Sequence, residues 1–371
     1  MNKTLKLSAQ NLPQLFTALK SKGYTLIAPV VQDGAIAYDK VDSPDDLPAG
    51  WTDQQGPGIY RLSKDNKGRY FGFHAAPQSW KRFLYPPEMS LFHLKKNGKS
   101  VEFIKNSDER AKYAFIGVRP CELNAILIQD LVFNSEMYGD EDYRLRRKDL
   151  FIVAVNCTES SENCFCSSMK TGPRAKGNFD LALTEILSKG EHYFIVETGS
   201  ETGETIISQA DSSEATEQEI SESTKLVRHT ENKMKKYVET ADLPKILSSN
   251  LDHSHWDSVA KRCLTCGNCT MVCPTCFCSA VEDSTDLFGG EAERLRKWDS
   301  CFTVDFSKVA GGNFRITPKS RYRQWLTHKF SSWMDQFGVF GCVGCGRCIT
   351  WCPVGIDITA EIGSLRGESN S

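Results

Sequence analysis

One cysteine pattern occurs twice and decides how the C-terminal part of the chain must fold. The two copies read Cys263-Leu-Thr-Cys266-Gly-Asn-Cys269-Thr-Met-Val-Cys273-Pro274 and Cys342-Val-Gly-Cys345-Gly-Arg-Cys348-Ile-Thr-Trp-Cys352-Pro353. In each copy the first three cysteines are close enough in sequence to cap one polynuclear metal centre from a single tight loop. The fourth cysteine leaves that loop in another direction, and the proline then turns the chain. The pattern therefore predicts two linked metal centres.

This spacing is typical of [4Fe–4S] ligands in two-cluster bacterial proteins, in which the fourth cysteine of each run binds the other cluster. We therefore predict two [4Fe–4S] clusters. The predicted ligands of cluster 1 are Cys263, Cys266, Cys269 and Cys352. The predicted ligands of cluster 2 are Cys342, Cys345, Cys348 and Cys273. A zinc-binding interaction module is the alternative from another class, but structural zinc sites use two ligand pairs with a longer spacer.

The rest of the composition excludes several other classes of protein. The chain has 371 residues and 15 cysteines, with 45 basic and 47 acidic residues and a net charge of −2. This balance argues against nucleic-acid binding, and no apolar run is long enough for a membrane span. Lys3 and Lys6 interrupt the only candidate for a signal sequence. We therefore expect a cytoplasmic protein with reduced thiols.

The cysteines are distributed unevenly, which indicates two units. Residues 1–120 contain none, four lie between Cys121 and Cys166, and eleven lie between Cys263 and Cys352. We predict a mixed α/β domain over residues 1–240 and an α-helical, ferredoxin-like domain with two [4Fe–4S] clusters over residues 241–371. Within them, segments 179–187, 226–240, 291–297 and 321–337 are expected to be helical, and 199–225 to be a loop or a mobile connection.

Four further cysteines are expected to meet at one edge of the N-terminal sheet. Cys121 lies between a predicted strand, 113–118, and a predicted helix, 122–133, and Cys157 ends the next strand. Cys164 and Cys166 follow in a loop. Because neighbouring parallel strands end at the same edge, these four thiols predict a third [4Fe–4S] cluster. A zinc ion held by the four thiolates, or two buried cysteines beside a surface pair, remain alternatives.

Cys276, Cys278 and Cys301 exceed what these clusters require and stay unassigned. They are thiols beside a cluster, an alternative ligand set, or small buried apolar side chains. No glycine-rich dinucleotide motif or P-loop is present, so we expect no flavin or nicotinamide on this chain, and no catalytic site is evident. A self-contained reductase, with an open coordination position at one cluster, stays open as a third hypothesis.

Several stretches, taken together, resemble one known family. It comprises the β subunits of soluble NADP-linked [NiFe] hydrogenases, or sulfhydrogenases, and the A subunits of anaerobic sulfite reductases. The matching stretches are Gly117-Val-Arg-Pro-Cys-Glu-Leu123, Asn156-Cys157, Cys164-Phe-Cys166, Cys273-Pro-Thr-Cys-Phe-Cys278, Trp298-Asp-Ser-Cys301, His328-Lys-Phe330, Cys345-Gly-Arg-Cys348 and Cys352-Pro-Val-Gly-Ile-Asp357.

The resemblance implies an iron–sulfur electron-transfer subunit that relays electrons between a flavin/NAD(P)-binding diaphorase-type subunit and a catalytic subunit. In the hydrogenase branch, the catalytic partners are the small and large [NiFe] subunits. In the other branch, the partner is a sirohaem sulfite reductase. The motifs are common to both branches and leave this choice open.

Overall fold

A computed structural model of the protein describes residues 4–74, 76–104 and 111–367. The strands are β1 (Thr4–Ser8), β2 (Thr25–Gln32), β3 (Ala35–Lys40), β4 (Trp51–Gly56), β5 (Ile59–Lys64), β6 (Glu88–Asn97), β7 (Ser100–Ile104), β8 (Tyr113–Val118), β9 (Phe151–Val155), β10 (Leu181–Ser188), β11 (Glu191–Thr198), β12 (Ser212–Glu214), β13 (Ser279–Thr285), β14 (Glu291–Trp298), β15 (Lys308–Val309) and β16 (Gly312–Asn313). The α-helices are α1 (Leu12–Ser21), α2 (Lys81–Leu84), α3 (Pro120–Phe133), α4 (Glu141–Lys148), α5 (Glu201–Ile207), α6 (Glu217–Asn232), α7 (Leu243–Ser249), α8 (His255–Arg262), α9 (Asn268–Met271), α10 (Pro318–Thr327), α11 (Trp333–Phe337), α12 (Arg347–Thr350) and α13 (Ile358–Arg366).

An eight-stranded sheet forms the centre of the N-terminal part, in the order β12-β1-β11-β10-β9-β8-β2-β3. Strands β2, β8, β9 and β10 run parallel to their neighbours within this group. All five residues of β9 are buried, as expected for a parallel strand that is covered on both faces. Helices α3 and α4 lie between β8 and β9, and this confirms the predicted crossover between two parallel strands.

Two predictions about residues 179–225 are wrong. The segment expected to be helical over 179–187 forms β10, which pairs with β9 on one side and β11 on the other. Its first six residues are all buried, so it lacks the alternation that would have marked it as a strand. The expected loop over 199–225 contains α5, β12 and the first half of α6. Helix α6 begins at a capping box formed by Thr216 and Glu219, and it ends at Asn232, before most of the helix expected over 226–240.

The helix predicted over 291–297 is also wrong, because this segment forms β14. It lies between β13 and β6 in a second sheet of order β13-β14-β6-β7. Arg294 pairs with Asp283 across the hairpin, with Nε 2.6 Å from Oδ1. Pairing with distant strands therefore overrides the helix-forming composition of this segment. The C-terminal part is accordingly not purely helical, and one of its strands joins a sheet with an N-terminal strand. The domain division near residue 240 stays a prediction.

A second apolar core holds the C-terminal helices together. Helices α10 and α11 are joined by a π-helical turn, His328–Ser332, and the whole unit confirms the helix predicted over 321–337. Trp325 and Phe330 from this unit pack with Trp256 of α8 and Ile362 of α13. In the part of the chain that the structure describes, no helix is long and apolar enough to cross a membrane.

Candidate metal centres

The four cysteines predicted for cluster 1 line a single cavity at the end of α8. They are Cys263, Cys266, Cys269 and Cys352. Two backbone amides point at their sulfurs: the Thr265 N–H donates to Cys263 Sγ at 3.4 Å, and the Ile356 N–H donates to Cys352 Sγ at 3.3 Å. Aromatic side chains such as Phe302 and Trp325 form much of the remaining wall. The cavity thus offers thiols, N–H donors and a largely apolar lining, as an iron–sulfur cluster requires.

Two of the thiols that line this cavity favour the neutral form in the absence of a metal. Burial raises the pKa of Cys263, and it raises the pKa of Cys269 well above that of a free thiol. Metal ligands must be deprotonated, so a bound cationic metal centre supplies the stabilisation that these thiolates otherwise lack. The donor set and its surroundings therefore fit an all-thiolate centre.

Cys273 lies beside the second cysteine triplet rather than the first. Negative charge on its thiolate contributes to raising the pKa of Cys342, Cys345 and Cys348. Conversely, negative charge on Cys352, which belongs to the second run, contributes to raising the pKa of Cys263 and Cys269 in the first run. Each run therefore places its fourth cysteine against the other run, which is the arrangement that the sequence pattern predicts.

A buried lysine, Lys329, reaches the second set of thiols. Its Nζ lies 3.2 Å from Cys273 Sγ, 3.2 Å from Thr275 Oγ1 and 3.1 Å from the Gly341 carbonyl oxygen. Burial opposes its charge, but the nearby Cys273, Cys276 and Cys342 thiols raise the pKa of Lys329 well above its usual value. It lies in the π-helical turn, a local irregularity that is frequent at functional sites. Lys329 is the middle residue of the stretch His328-Lys-Phe330, but no local spacing predicts its contact with Cys273.

The four N-terminal cysteines also line one cavity, at the edge where β8 and β9 end. Cys121 lies in the first turn of α3, Cys157 follows β9, and Cys164 and Cys166 come from the loop beyond it. Burial raises the pKa of Cys157, and the neighbouring Arg119 guanidinium opposes that shift. Among the residues that the structure describes, no three His, Cys, Asp or Glu side chains converge as the ligands of a single metal ion do.

The N-terminal set and the second set are direct neighbours. The Phe165 N–H donates to the Gly344 carbonyl oxygen at 2.9 Å, and Thr171 Oγ1 donates to the Val343 carbonyl oxygen at 2.6 Å. Gly344 has φ +65°, and a Cβ placed there would lie 2.7 Å from the Cys166 backbone. Cys348 of the second set also lines the cavity of the first set, beside Cys269, so the three sets form one continuous series.

A fully buried ion pair connects the same two regions. Arg347, between two cysteines of the second run, donates from Nη2 to Glu122 Oε1 at 2.6 Å, and both side chains are completely buried. Glu122 also accepts from Tyr38 Oη at 2.8 Å and from Trp80 Nε1 at 3.0 Å. Glu122 stands in the stretch Gly117–Leu123 and Arg347 in the stretch Cys345–Cys348, but nothing in either motif predicts that these side chains, 225 positions apart, form a pair.

Comparison with known proteins agrees with these features. Two families, both described as a 4Fe-4S dicluster domain, match residues 262–356 and residues 222–277. The sulfhydrogenase 2 β subunit of Pyrococcus furiosus is 31% identical over 367 residues, which cover 98% of this chain and 98% of that protein. The chain belongs to the sulfhydrogenase β-subunit family.

Membership of this family confirms the resemblance that the motifs indicated. The protein is an iron–sulfur subunit of the electron-transfer type. The first matched range, 262–356, contains all eight cysteines of the two motifs. Which thiols hold which cluster, and whether the N-terminal set holds one, stay predictions.

Proposed function

We propose that this chain relays electrons within a soluble [NiFe] hydrogenase complex, between a flavin/NAD(P)-binding diaphorase-type subunit and the catalytic small and large subunits. The observation that carries the proposal is the continuous series of three cysteine sets. The matched relative is named as a sulfhydrogenase subunit, and this favours the hydrogenase branch over sulfite reductase.

In this proposal the three sets hold three [4Fe–4S] clusters, and this chain binds neither flavin nor nicotinamide. Cys263, Cys266, Cys269 and Cys352 hold cluster 1. Cys342, Cys345, Cys348 and Cys273 hold cluster 2. Cys121, Cys157, Cys164 and Cys166 hold the third. When bound, such clusters take up and release single electrons at a potential that their surroundings set.

The surrounding residues position the thiols and adjust their charge. Backbone N–H groups of Thr265 and Ile356 donate to ligand sulfurs, which stabilises negative charge on them. Arg119 and Lys329 place positive charge beside the N-terminal and second sets. Phe302 and Trp325 line one side of the first cavity, and charges on that side act in a medium of lower polarity, where they are felt more strongly.

Reconstitution of the complex with and without this chain tests the proposal. We expect complete complex to reduce NAD(P)+ with H2, whereas complex that lacks the chain reduces only an artificial dye at the hydrogenase subunits. The isolated chain should show clusters that dithionite reduces, but no H2 oxidation. Undiminished NAD(P)+ reduction without the chain would contradict the proposed relay.

The third cluster has its own test. Replacing Cys164 and Cys166 with serine should remove about four irons per chain and leave the two-cluster spectrum of the C-terminal sets intact. Iron and sulfide analysis of anaerobically purified protein gives the count, and EPR spectroscopy of the reduced protein identifies the clusters that remain. Unchanged iron content would rule out these two cysteines as ligands.

A further inference from the structure

Helix α10 places two hydrogen-bond donors beside the first cysteine set. Tyr322 and Trp325 are three residues apart in this helix and therefore lie on the same face of it. The centroids of their rings are 5.4 Å apart, and both residues line the cavity of the first cysteine set. Both are almost completely buried, with 3% of Tyr322 and 4% of Trp325 exposed. The wall of this cavity thus carries a phenol and an indole besides its purely apolar side chains.

Neither donor has a partner among the protein groups that the structure describes. Tyr322 Oη and Trp325 Nε1 are both buried, and no hydrogen bond joins either atom to another described residue. By contrast, Trp256, whose ring centroid lies 6.4 Å from that of Tyr322, donates from Nε1 to the Asn250 carbonyl oxygen at 2.7 Å. Leaving a buried polar group unpaired costs about 1–3 kcal/mol. The two donors of α10 therefore require an acceptor that the described part of the chain does not supply.

Packing holds the two rings in place at the cavity. The Phe302 ring packs against both of them, with centroid distances of 6.3 and 5.9 Å. Arg321, next to Tyr322, donates from Nη1 to the Phe302 carbonyl oxygen at 3.0 Å and so fixes the helix against this segment. Burial, together with negative charge on Glu361 and Cys269, raises the pKa of Tyr322 well above its usual value, so its hydroxyl keeps its proton. Both side chains are therefore ordered donors at the cavity wall.

We propose that the Tyr322 hydroxyl and the Trp325 indole N–H donate hydrogen bonds to sulfur atoms of cluster 1. The inference rests on the proposed function, because it takes the first cysteine set to hold a [4Fe–4S] cluster. The sulfurs of such a cluster accept hydrogen bonds, and these bonds help to set its potential. Reduction adds a negative charge to the cluster, and hydrogen bonds to a charged acceptor are stronger. Both residues therefore raise the reduction potential of cluster 1, and neither is a ligand of its iron.

Reduction potentials of the full chain test this assignment. Tyr322→Phe removes only the hydroxyl group, and it should make the potential of cluster 1 more negative in an EPR-monitored redox titration. The equilibrium between reduced and oxidised cluster should shift about three- to tenfold, where tenfold corresponds to about 59 mV for one electron. Trp325→Phe should shift the potential in the same direction, and the double variant should shift it further than either.

Trp256→Phe is the matched control for these variants. It makes the same exchange in the same apolar core, but the indole N–H that it removes donates to Asn250 and not into the cavity. Its cluster 1 potential should equal that of wild type. If Trp325→Phe lowers the iron content, Tyr322→Phe keeps the test decisive, because phenylalanine preserves the ring and its packing.

Isotope labelling gives a readout that altered packing would not change. With the heavy nitrogen isotope in the indole rings, pulsed EPR of the reduced protein should detect a nitrogen coupling to cluster 1. Trp325→Phe should lose this coupling, and Trp256→Phe should keep it. The EPR signal that Cys266→Ser alters identifies cluster 1.

A wild-type potential in both Tyr322→Phe and Trp325→Phe, at full iron content, would overturn the proposal. A coupling that persists in Trp325→Phe, or an equal shift of potential in Trp256→Phe, would overturn it as well. Wild-type iron content and EPR signals in Cys266→Ser would instead contradict the proposed function itself, and this inference with it.

Discussion

Lys329 is placed to act on the second cysteine set. Its ammonium group lies 3.2 Å from Cys273 Sγ in a buried position. Reduction adds a negative charge to a cluster, and a nearby cation stabilises that charge more than it stabilises the oxidised form. Lys329→Met should therefore make the reduction potential of cluster 2 more negative, as measured by an EPR-monitored redox titration.

Lys329→Arg serves as the control for that prediction because it keeps the positive charge. Its potential should stay closer to that of wild type than the potential of the methionine variant does, even though the guanidinium group is larger and displaces its neighbours. If the methionine variant has the wild-type potential, Lys329 does not act on the cluster electrostatically, and its role is confined to packing of the π-helical turn.

The buried ion pair between Glu122 and Arg347 gives a second prediction at the level of single residues. Glu122→Gln keeps the shape of the side chain but leaves the guanidinium charge without its partner. Removing one member of a buried pair typically costs about 3–5 kcal/mol. The variant should lose its clusters at a clearly lower temperature than wild type, followed by visible absorbance at a fixed heating rate.

Tyr38→Phe is the comparison for that variant, because it removes one hydrogen bond to Glu122 and leaves the ion pair intact. The loss of a single buried hydrogen bond costs about 1 kcal/mol. Equal destabilisation by the two variants would show that the network is held by its hydrogen bonds, and that the charge of Glu122 contributes little.

Among the structural elements, the loop of the second cysteine run depends on a close backbone approach. A Cβ on Gly344 would lie 2.7 Å from the Cys166 backbone, and the residue has φ +65°. A left-handed conformation alone costs about 1–2 kcal/mol for an alanine, and the steric clash adds to this. Gly344→Ala should therefore separate this loop from the N-terminal set and reduce the iron content of both.

Gly311→Ala is the matched control, because a Cβ at that position would meet no atom within 4 Å. Its iron content and thermal stability should equal those of wild type. If Gly344→Ala also keeps its full iron content, the two sets do not need this contact in order to assemble, and the N-terminal set would be an independent unit.

The strands and helices differ in how well the sequence predicts them. The β8–α3–β9 unit was predicted correctly because its strands are short apolar runs and its helix begins at a proline, all of which are local signals. Strands β10 and β14 were predicted as helices because their residues favour helix and their pairing partners are distant. In β14 the deciding contact is with β6, a strand nearly two hundred residues earlier.

The residues of the candidate sites likewise fall into two groups: those that local sequence patterns predict, and those that only tertiary contacts reveal. Cysteine spacing is a local property, so the sequence alone could predict which cysteines belong to each ferredoxin-type set. In the structure the members of each set lie close to one another. The contacts of Lys329 and the pairing of Glu122 with Arg347 are tertiary, so the motifs in which these residues stand do not predict them. The approach of Cys278 to the segment that carries Cys301 required β14 to be a strand, and that element was predicted wrongly.

At the scale of the whole molecule, the series of thiol sets reaches the surface at one end. Cys266 of the first set is exposed, and the neighbouring Leu264 is 61% exposed. Val354, on the second run, is also exposed and lines the same cavity. Apolar side chains around an exposed ligand are typical of a site where a redox partner docks. We therefore expect a partner subunit to cover this end of the series.

Substitution of Leu264 by glutamate tests that expectation. The added charge should weaken partner binding about tenfold or more, the effect of losing about 1.4 kcal/mol of interaction energy. Iron content and reduction by dithionite should be unchanged, because the side chain is not a ligand. Leu287→Glu is the control: this leucine is 92% exposed in the turn of the β13–β14 hairpin, and it does not line the cavity of the first set. Affinity measured against the isolated partner subunits should fall only for the Leu264 variant. Equal weakening by both variants would indicate a general charge effect, and full affinity in both would exclude docking at this end of the molecule.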